Sequence, residues 1–428
     1  MNVYAARGQT LGAATATIVS CVAVAFCEGF DLQAAGVAAR GIASEFNPTP
    51  DQLGTFFSAS TLGLFGGALL GGRISDSFGR KRTLIWSVVT FGIFSILTAA
   101  APDIHTLTWA RLLTGLGFGG AFPNLLALVN ESSSAGRRNA NVALVYSGMP
   151  FGGAIASLLS MLSAPAHWRV IFIAGGVIPL ALTPILIGAL RESSGFERLR
   201  HSSEFTGMAL ITGATPKAGG FVAIFANGRA ALTVMLWSCL FLALLILYLI
   251  LSWLPTLLVG NGMSNAAAAA VQVAFNVGGG LSALVIGQLL EGKSRNISLA
   301  AAFIGVPLFV FLLSKTPPQL SLVMLIVFGL GCAILATQGF MYATAPQCYP
   351  TLIRGVGVGA AVAMGRLGSI VGPKLGGSLK AAGHGSSQLF ADVLPLAVLG
   401  SVMAFVLAWQ IARLRQAHSL NEATGTET

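Results

Sequence analysis

Polar and apolar positions along this chain separate on a coarse scale: apolar runs of helix-spanning length alternate with short polar segments. The runs fall at roughly 13–37, 53–72, 83–101, 107–129, 141–163 and 170–190, then at 231–256, 266–290, 297–314, 320–345, 357–381 and 389–412. A helix needs about 20 residues to cross the hydrocarbon core of a bilayer, so the pattern predicts twelve transmembrane helices. An even number of crossings puts both termini on one side. The longest polar connection, 191–230, divides the chain into residues 1–190 and 231–428. The expected fold is therefore an all-α membrane protein: two pseudo-symmetric six-helix bundles, a central cytoplasmic loop and a short cytoplasmic tail.

Spacing across the two halves supports a duplication. Gly72-x3-Asp76 after the second run is echoed by Gly287-x3-Glu291 after the eighth, an offset of 215 residues. Glu131 and Arg138 after the fourth run are echoed by Gln347 and Arg354 after the tenth, an offset of 216. Two matching offsets in matching loops argue for repeated halves.

Composition narrows the class. Only 9% of the 428 residues are charged, against about 25% in a soluble domain. The net charge of +10 would suit nucleic acid if the basic residues formed one soluble face, but they sit in short loops, so a lipid bilayer and not nucleic acid is the expected partner. With the N-terminus inside, 17 of the 24 lysines and arginines fall on the cytoplasmic side, among them Arg198, Arg200, Lys217 and Lys293, and this excess fixes the orientation. Arg7 precedes an apolar run too long for a signal-peptide core, which makes that run a first membrane helix. The five cysteines show no metal-ligand spacing and read as small buried residues. The five histidines are scattered through loops and tails, and no Gly-x4-Gly-Lys-Ser/Thr phosphate loop occurs, so neither an enzyme nor an ATP-driven pump is expected. No cofactor and no metal is expected.

Charges inside the runs are the candidate chemistry. Glu28 and Asp31 lie three residues apart on one helical face of the first run. A charge at mid-membrane depth costs about 2.5–3.5 kcal/mol on insertion scales, so such acids have a partner and a task, or sit near the outer interface and reach water. Arg111, near the outer end of the fourth run, is at similar depth to Asp31 and is its candidate partner. Pairing would keep Asp31 ionised until something competes for the arginine. Asn124 on the same run is a candidate cavity residue. Arg366, near the middle of the eleventh run, has no acid within a helical turn. A substrate carboxylate would answer that cation through two parallel hydrogen bonds, and the alternative is an acid on another helix. Gln338 and Tyr342 are further candidate polar contacts, and Phe30 and Phe122 are candidate aromatic covers for a ring.

The stretch Gly72-Arg-Ile-Ser-Asp76-Ser-Phe-Gly79-Arg80-Lys81-Arg82 resembles the cytoplasmic loop signature of the major facilitator superfamily, and the resemblance extends over the whole chain. It implies a gating role for Gly72, Asp76, Gly79 and Arg80: Gly72 would permit close helix approach, and Asp76 and the basic cluster would pair across helix ends. Glycines around Gly372-Pro373 have the spacing of an antiporter signature, but in the eleventh helix rather than the fifth, and read as close packing. Glu28-Gly-Phe-Asp31, Arg111-x3-Gly-x-Gly and Gly365-Arg366 look like the aromatic acid:proton symporters, most similar to those that carry 3-(3-hydroxyphenyl)propionate. That resemblance implies a bacterial inner-membrane monomer that takes up an aromatic carboxylate with protons by alternating access. In it Asp31, Glu28 and Arg111 couple protons, while Arg366 and Arg111 hold the carboxylate. Many members carry aspartate where this chain has Glu28, which favours Asp31 as the essential acid. Proton-coupled efflux of organic acids or drugs, and a non-transporting receptor for aromatic acids, are the alternatives.

Overall fold

Helix ends in this chain are set by local chemistry rather than by where the apolar runs stop. In the structure, a computed structural model describing residues 11–163, 165–192, 222–226, 228–291, 295–350 and 353–424, the first helix, α1 (Leu11–Phe46), continues well past the end of its apolar run. It stops where Asn47 adopts a left-handed conformation (φ 46°) and Pro48 follows, which cannot continue a helix. Next, α2 (Pro50–Phe78) opens on a reciprocal cap. The Gln52 backbone N–H donates to Thr49 Oγ1 (3.2 Å) and the Thr49 N–H donates to Gln52 Oε1 (2.9 Å), with proline in the first turn where its missing N–H is harmless. After α3 (Arg80–Ala99), α4 (Ile104–Ser132) is capped by Asp103, which accepts from the N–H groups of His105 and Thr106 at 2.9 Å each. The Thr106 N–H, foremost among these donors, holds the Asp103 carboxyl below its ordinary range.

The remaining helices are α5 (Arg138–Leu162), α6 (Trp168–Ala189), α7 (Ala230–Gly260), α8 (Asn265–Glu291), α9 (Arg295–Lys315), α10 (Leu320–Thr344), α11 (Arg354–Ala381) and α12 (Ser386–Thr424). All twelve are long and apolar enough to cross a membrane, and no strand occurs among the described residues. Large apolar side chains such as Leu62, Trp109, Ile173, Leu325 and Trp409 are exposed on the helix surfaces, as a lipid solvent requires. The expected connecting loop falls largely outside the described residues, together with Arg7, Arg198, Arg200, Lys217 and Lys293.

The chain divides into two compact units, Met1–Pro48 with Ala59–Ile211 and Thr49–Ser58 with Thr212–Thr428. In the first, α1 packs on α5 and α6, and α3 on α4 and α6. In the second, α7 packs on α11 and α12, and α9 on α10 and α12. Also within the second unit, Lys374 Nζ donates to Asp51 Oδ2 (2.7 Å) and Thr55 Oγ1 (2.8 Å), and Ser58 Oγ donates to the Ile370 carbonyl (2.8 Å).

Backbone contacts repeat across the units at the two offsets read from the loops. A Cβ on Gly152 of α5 would collide with the Phe26 carbonyl of α1, and one on Gly368 of α11 with the Phe241 carbonyl of α7. Likewise Gly115 of α4 meets the Ser60 carbonyl of α2, and Gly331 of α10 meets the Phe275 carbonyl of α8. In both comparisons the glycines are 216 residues apart and the carbonyls 215. Small residues that let helix backbones touch are the means by which membrane helices associate without a hydrophobic driving force.

Candidate functional site

In the first unit α1 and α4 bring Asp31 and Arg111 together. Arg111 Nη1 is ion-paired with Asp31 Oδ2, and both side chains are 0% exposed. Arg111 Nη2 donates to the Asp31 backbone carbonyl (3.0 Å), so the guanidinium is fixed at two points on one residue. Ser95 on α3 lies 2.5 Å from Asp31 Oδ1 and 3.0 Å from the Phe172 carbonyl of α6, and its single hydroxyl proton serves one of these acceptors at a time. The Phe172 ring lies 5.4 Å from the guanidinium carbon, a cation–π contact that helps carry the desolvated charge. Four helices thus converge on one carboxylate. The depth argument placed this pair correctly although both helices extend past the apolar runs on which it rested. Arg111 Nε is buried and has no hydrogen-bond partner among the described residues, so the guanidinium keeps one donor for an acceptor that the resting pair does not supply. Glu28 is fully buried one turn before Asp31, which excludes the reading in which it simply reaches water.

In the second unit Arg366 is half-buried on α11, and its Nη1 donates to the Tyr248 hydroxyl of α7 at 3.4 Å. Sequence reasoning missed Tyr248, because nothing along the chain indicates which residue of α7 faces the middle of α11. Gln338 and Tyr342 are half-buried on α10. Gln272 and Asn276 are buried one turn apart on α8, with Asn276 Nδ2 donating to the Gln272 carbonyl at 2.9 Å.

The packing gives several other candidates their neighbours. Asn124 is buried: its Oδ1 accepts from Ser75 Oγ (2.5 Å) and its Nδ2 donates to the Gly120 carbonyl (2.8 Å), which ties α4 to α2. Phe30 is 2% exposed and lies against Gly175 of α6. Gly72 has open space around its Cα, and the close approach belongs to its neighbour Gly71, which meets Gly120. Asp76 is exposed and forms no ion pair among the described residues, where Arg80 pairs with Glu131 at the end of α4 instead.

Gly79 turns the chain at φ 92°. The carboxylate of Glu192, beyond the end of α6, lies where a Cβ on Gly79 would be and accepts from the N–H groups of Arg80 (2.7 Å) and Lys81 (3.1 Å). It caps the positive end of α3 from a distant part of the sequence.

Twelve spanning helices in two related units, with buried charge in the first and a tyrosine-backed arginine in the second, define the architecture of a membrane transporter. The chain belongs to the Major Facilitator Superfamily, whose family model matches residues 21–373. It is 39% identical over 399 residues to a 3-(3-hydroxy-phenyl)propionate transporter of Escherichia coli (strain K12), covering 93% of this chain and 95% of that protein. It is 31% identical over 419 residues to a gallate transporter of Pseudomonas putida, covering 93% and 92%. Among solved structures it is similar to a D-xylose-proton symporter, with a TM-score of 0.73 at 17% identity, covering 91% of this chain and 97% of that one.

Proposed function

We propose that this chain takes up an aromatic carboxylate together with protons across the bacterial inner membrane, by alternating access and as a monomer. The same reading places both termini in the cytoplasm and makes 191–230 the connector between six-helix halves. The observation that carries it is the sealed Asp31–Arg111 pair, supported by likeness to relatives named for aromatic acids. A carboxylate and a guanidinium held out of water are stable only together, so a proton arriving on Asp31 removes the anion that fixes Arg111. The arginine then seeks another acceptor, with its Nε donor already available. A substrate carboxylate supplies that acceptor, and Arg366 beside Tyr248 is a second cation for the same anion. When the substrate leaves, Arg111 recaptures Asp31 and the proton is released. Glu28 is the second acid on that helical face. One proton per monoanion moves no net charge, whereas two would couple transport to voltage at about 2.3 kcal/mol per 100 mV.

The test is uptake of labelled 3-(3-hydroxyphenyl)propionate and hydroxybenzoates into proteoliposomes under an imposed pH gradient. Wild-type protein is expected to concentrate one or more of these acids. Asp31→Asn is expected to lose pH-driven accumulation, since its amide cannot release a proton. Concentrative uptake by Asp31→Asn at the wild-type level would end the assignment. Outward movement under the same gradient would favour efflux.

A further inference from the structure

The two oxygens of the Asp31 carboxylate are not equivalent towards a proton. Oδ2 faces Nη1 of Arg111, a group that donates hydrogen bonds and never accepts them. Oδ1 faces the Ser95 hydroxyl at 2.5 Å, and a hydroxyl both donates and accepts. Of the two side chains bonded to this carboxylate, Ser95 is therefore the one that can receive a hydrogen from it. The Phe172 carbonyl lies 3.0 Å from Ser95 Oγ and offers the serine's own hydrogen a second acceptor. Ser95 and Asp31 are both 0% exposed, so each of these bonds has to come from the protein. Beside them is Gly175 of α6, where a Cβ would stand 3.1 Å from Ser95 Oγ and 3.3 Å from Asp31 Oδ1 and crowd both oxygens.

The duplicated packing shows that a hydroxyl is not needed at this place to pack the helices. At an offset of 215 in α1 and α7, and again in α3 and α9, Asp31 stands where the second unit has Ile246, and Ser95 where it has Val310. Val310 is fully buried. Acid and hydroxyl thus occur together in one unit and are replaced together in the other. The remaining titratable groups near Asp31 are few. Arg111 is its partner on α4, and α1 itself adds Cys27 and Glu28 within about one turn. On the other helices packed around it, α3 has charge only in its first turn, α5 has Arg138 in its first turn and Tyr146 against Phe122, and α6 has Arg169, paired with Glu45.

We propose that Ser95 is a positioning residue of the proton step, a hydroxyl with two settings. While Asp31 is ionised, Ser95 donates to Oδ1. When a proton sits on Oδ1, that O–H donates to Ser95 Oγ, and the serine turns its own hydrogen to the Phe172 carbonyl. The inference rests on the reading of Asp31 as the proton carrier. The proton comes from the aqueous phase and stays on Asp31, while the serine keeps its hydrogen and changes only the direction of its O–H. Asp31 changes charge without any of these buried polar groups losing its partner, so what is released is the hold on Arg111.

The test is acid-induced infrared difference spectroscopy of the full-length protein reconstituted in lipid. Wild type is expected to gain a carboxylic acid C=O band on acidification that is missing from Asp31→Asn. In Ser95→Ala that band should move to higher wavenumber, because the acid's O–H has lost its acceptor. Ser95→Cys, whose thiol is a weaker partner, should move it by less, and Ser95→Thr, which keeps the hydroxyl, should leave it in place. Uptake driven by a pH gradient should fall about five- to tenfold in Ser95→Ala, the ordinary worth of one hydrogen bond, and return in Ser95→Thr. An Asp31-dependent band that Ser95→Ala and Ser95→Cys leave unmoved would overturn this inference and spare the assignment of Asp31. Absence of any Asp31-dependent band would overturn both. Should Ser95→Thr fail to fold, the positions of the band in Ser95→Ala and Ser95→Cys decide alone.

Discussion

Asp31→Asn tests the electrostatic centre of the first unit most directly. The amide is nearly the same size as the carboxylate and keeps an acceptor for Ser95, so volume and most hydrogen bonding survive while the charge is lost. Arg111 remains cationic, because arginine does not deprotonate in proteins, and it is left 0% exposed without its counter-ion. Breaking a buried pair in this way costs about 3–5 kcal/mol, a fall in Tm of roughly 6–20 °C for a unit of this size. Removing both charges, with Asp31→Asn and Arg111→Met together, should recover most of that loss, since replacing a buried pair by apolar groups is often neutral. Thermal unfolding of wild type, both single variants and the double variant in one detergent gives the coupling energy, expected at about 2 kcal/mol or more. Additive losses, or Asp31→Asn costing under about 1 kcal/mol, would refute the idea that each of the two charges depends on the other to stay out of water.

Six further substitutions, at five positions, probe the rest of the structure. Gly152→Ala and Gly368→Ala each force a methyl group against a facing carbonyl and should each cost about 1–3 kcal/mol in thermal unfolding, whereas Gly72→Ala, in open space, should stay within about 0.5 kcal/mol of wild type. Glu192→Ala removes the carboxylate that accepts from the first N–H groups of α3 and should cost about 1 kcal/mol, with Glu192→Gln retaining part of it. Tyr248→Phe deletes the hydroxyl beside Arg366 and should raise KM for the transported acid several-fold with little change in Tm, and an unchanged KM would remove Tyr248 from the site.

The spans and the duplication were legible in the sequence because a bilayer imposes a length on every apolar run, and the matching loops of the two halves keep their spacing. The Asp31–Arg111 pair was legible for a related reason: two charges at one depth in lipid have few places to go. The surroundings of Asn124, Phe30 and Asp76 were not legible because they depend on which neighbour each meets, Ser75 for the first, Gly175 for the second and open surface for the third. Glu192 was invisible because it caps α3 from 111 and 112 residues away along the chain. The offsets also show what the duplication did not preserve. Asp31 corresponds to Ile246, Arg111 to Val327, and Arg366 to Pro150. The charged groups therefore occupy positions whose counterparts are apolar in the other unit. On the proposed reading, a symmetric scaffold with charge placed asymmetrically separates two tasks: the first unit holds the carboxylate that a proton neutralises, and the second an arginine beside a tyrosine hydroxyl. Exchanging the tasks would require moving charges into cores packed without them, at several kcal/mol for each unpaired group. Ile246→Asp alone should accordingly destabilise the second unit, and Ile246→Asp with Val327→Arg should restore part of the loss if the helices of the two units share one geometry. Failure of the second substitution to rescue the first would mean that the correspondence stops at the backbone.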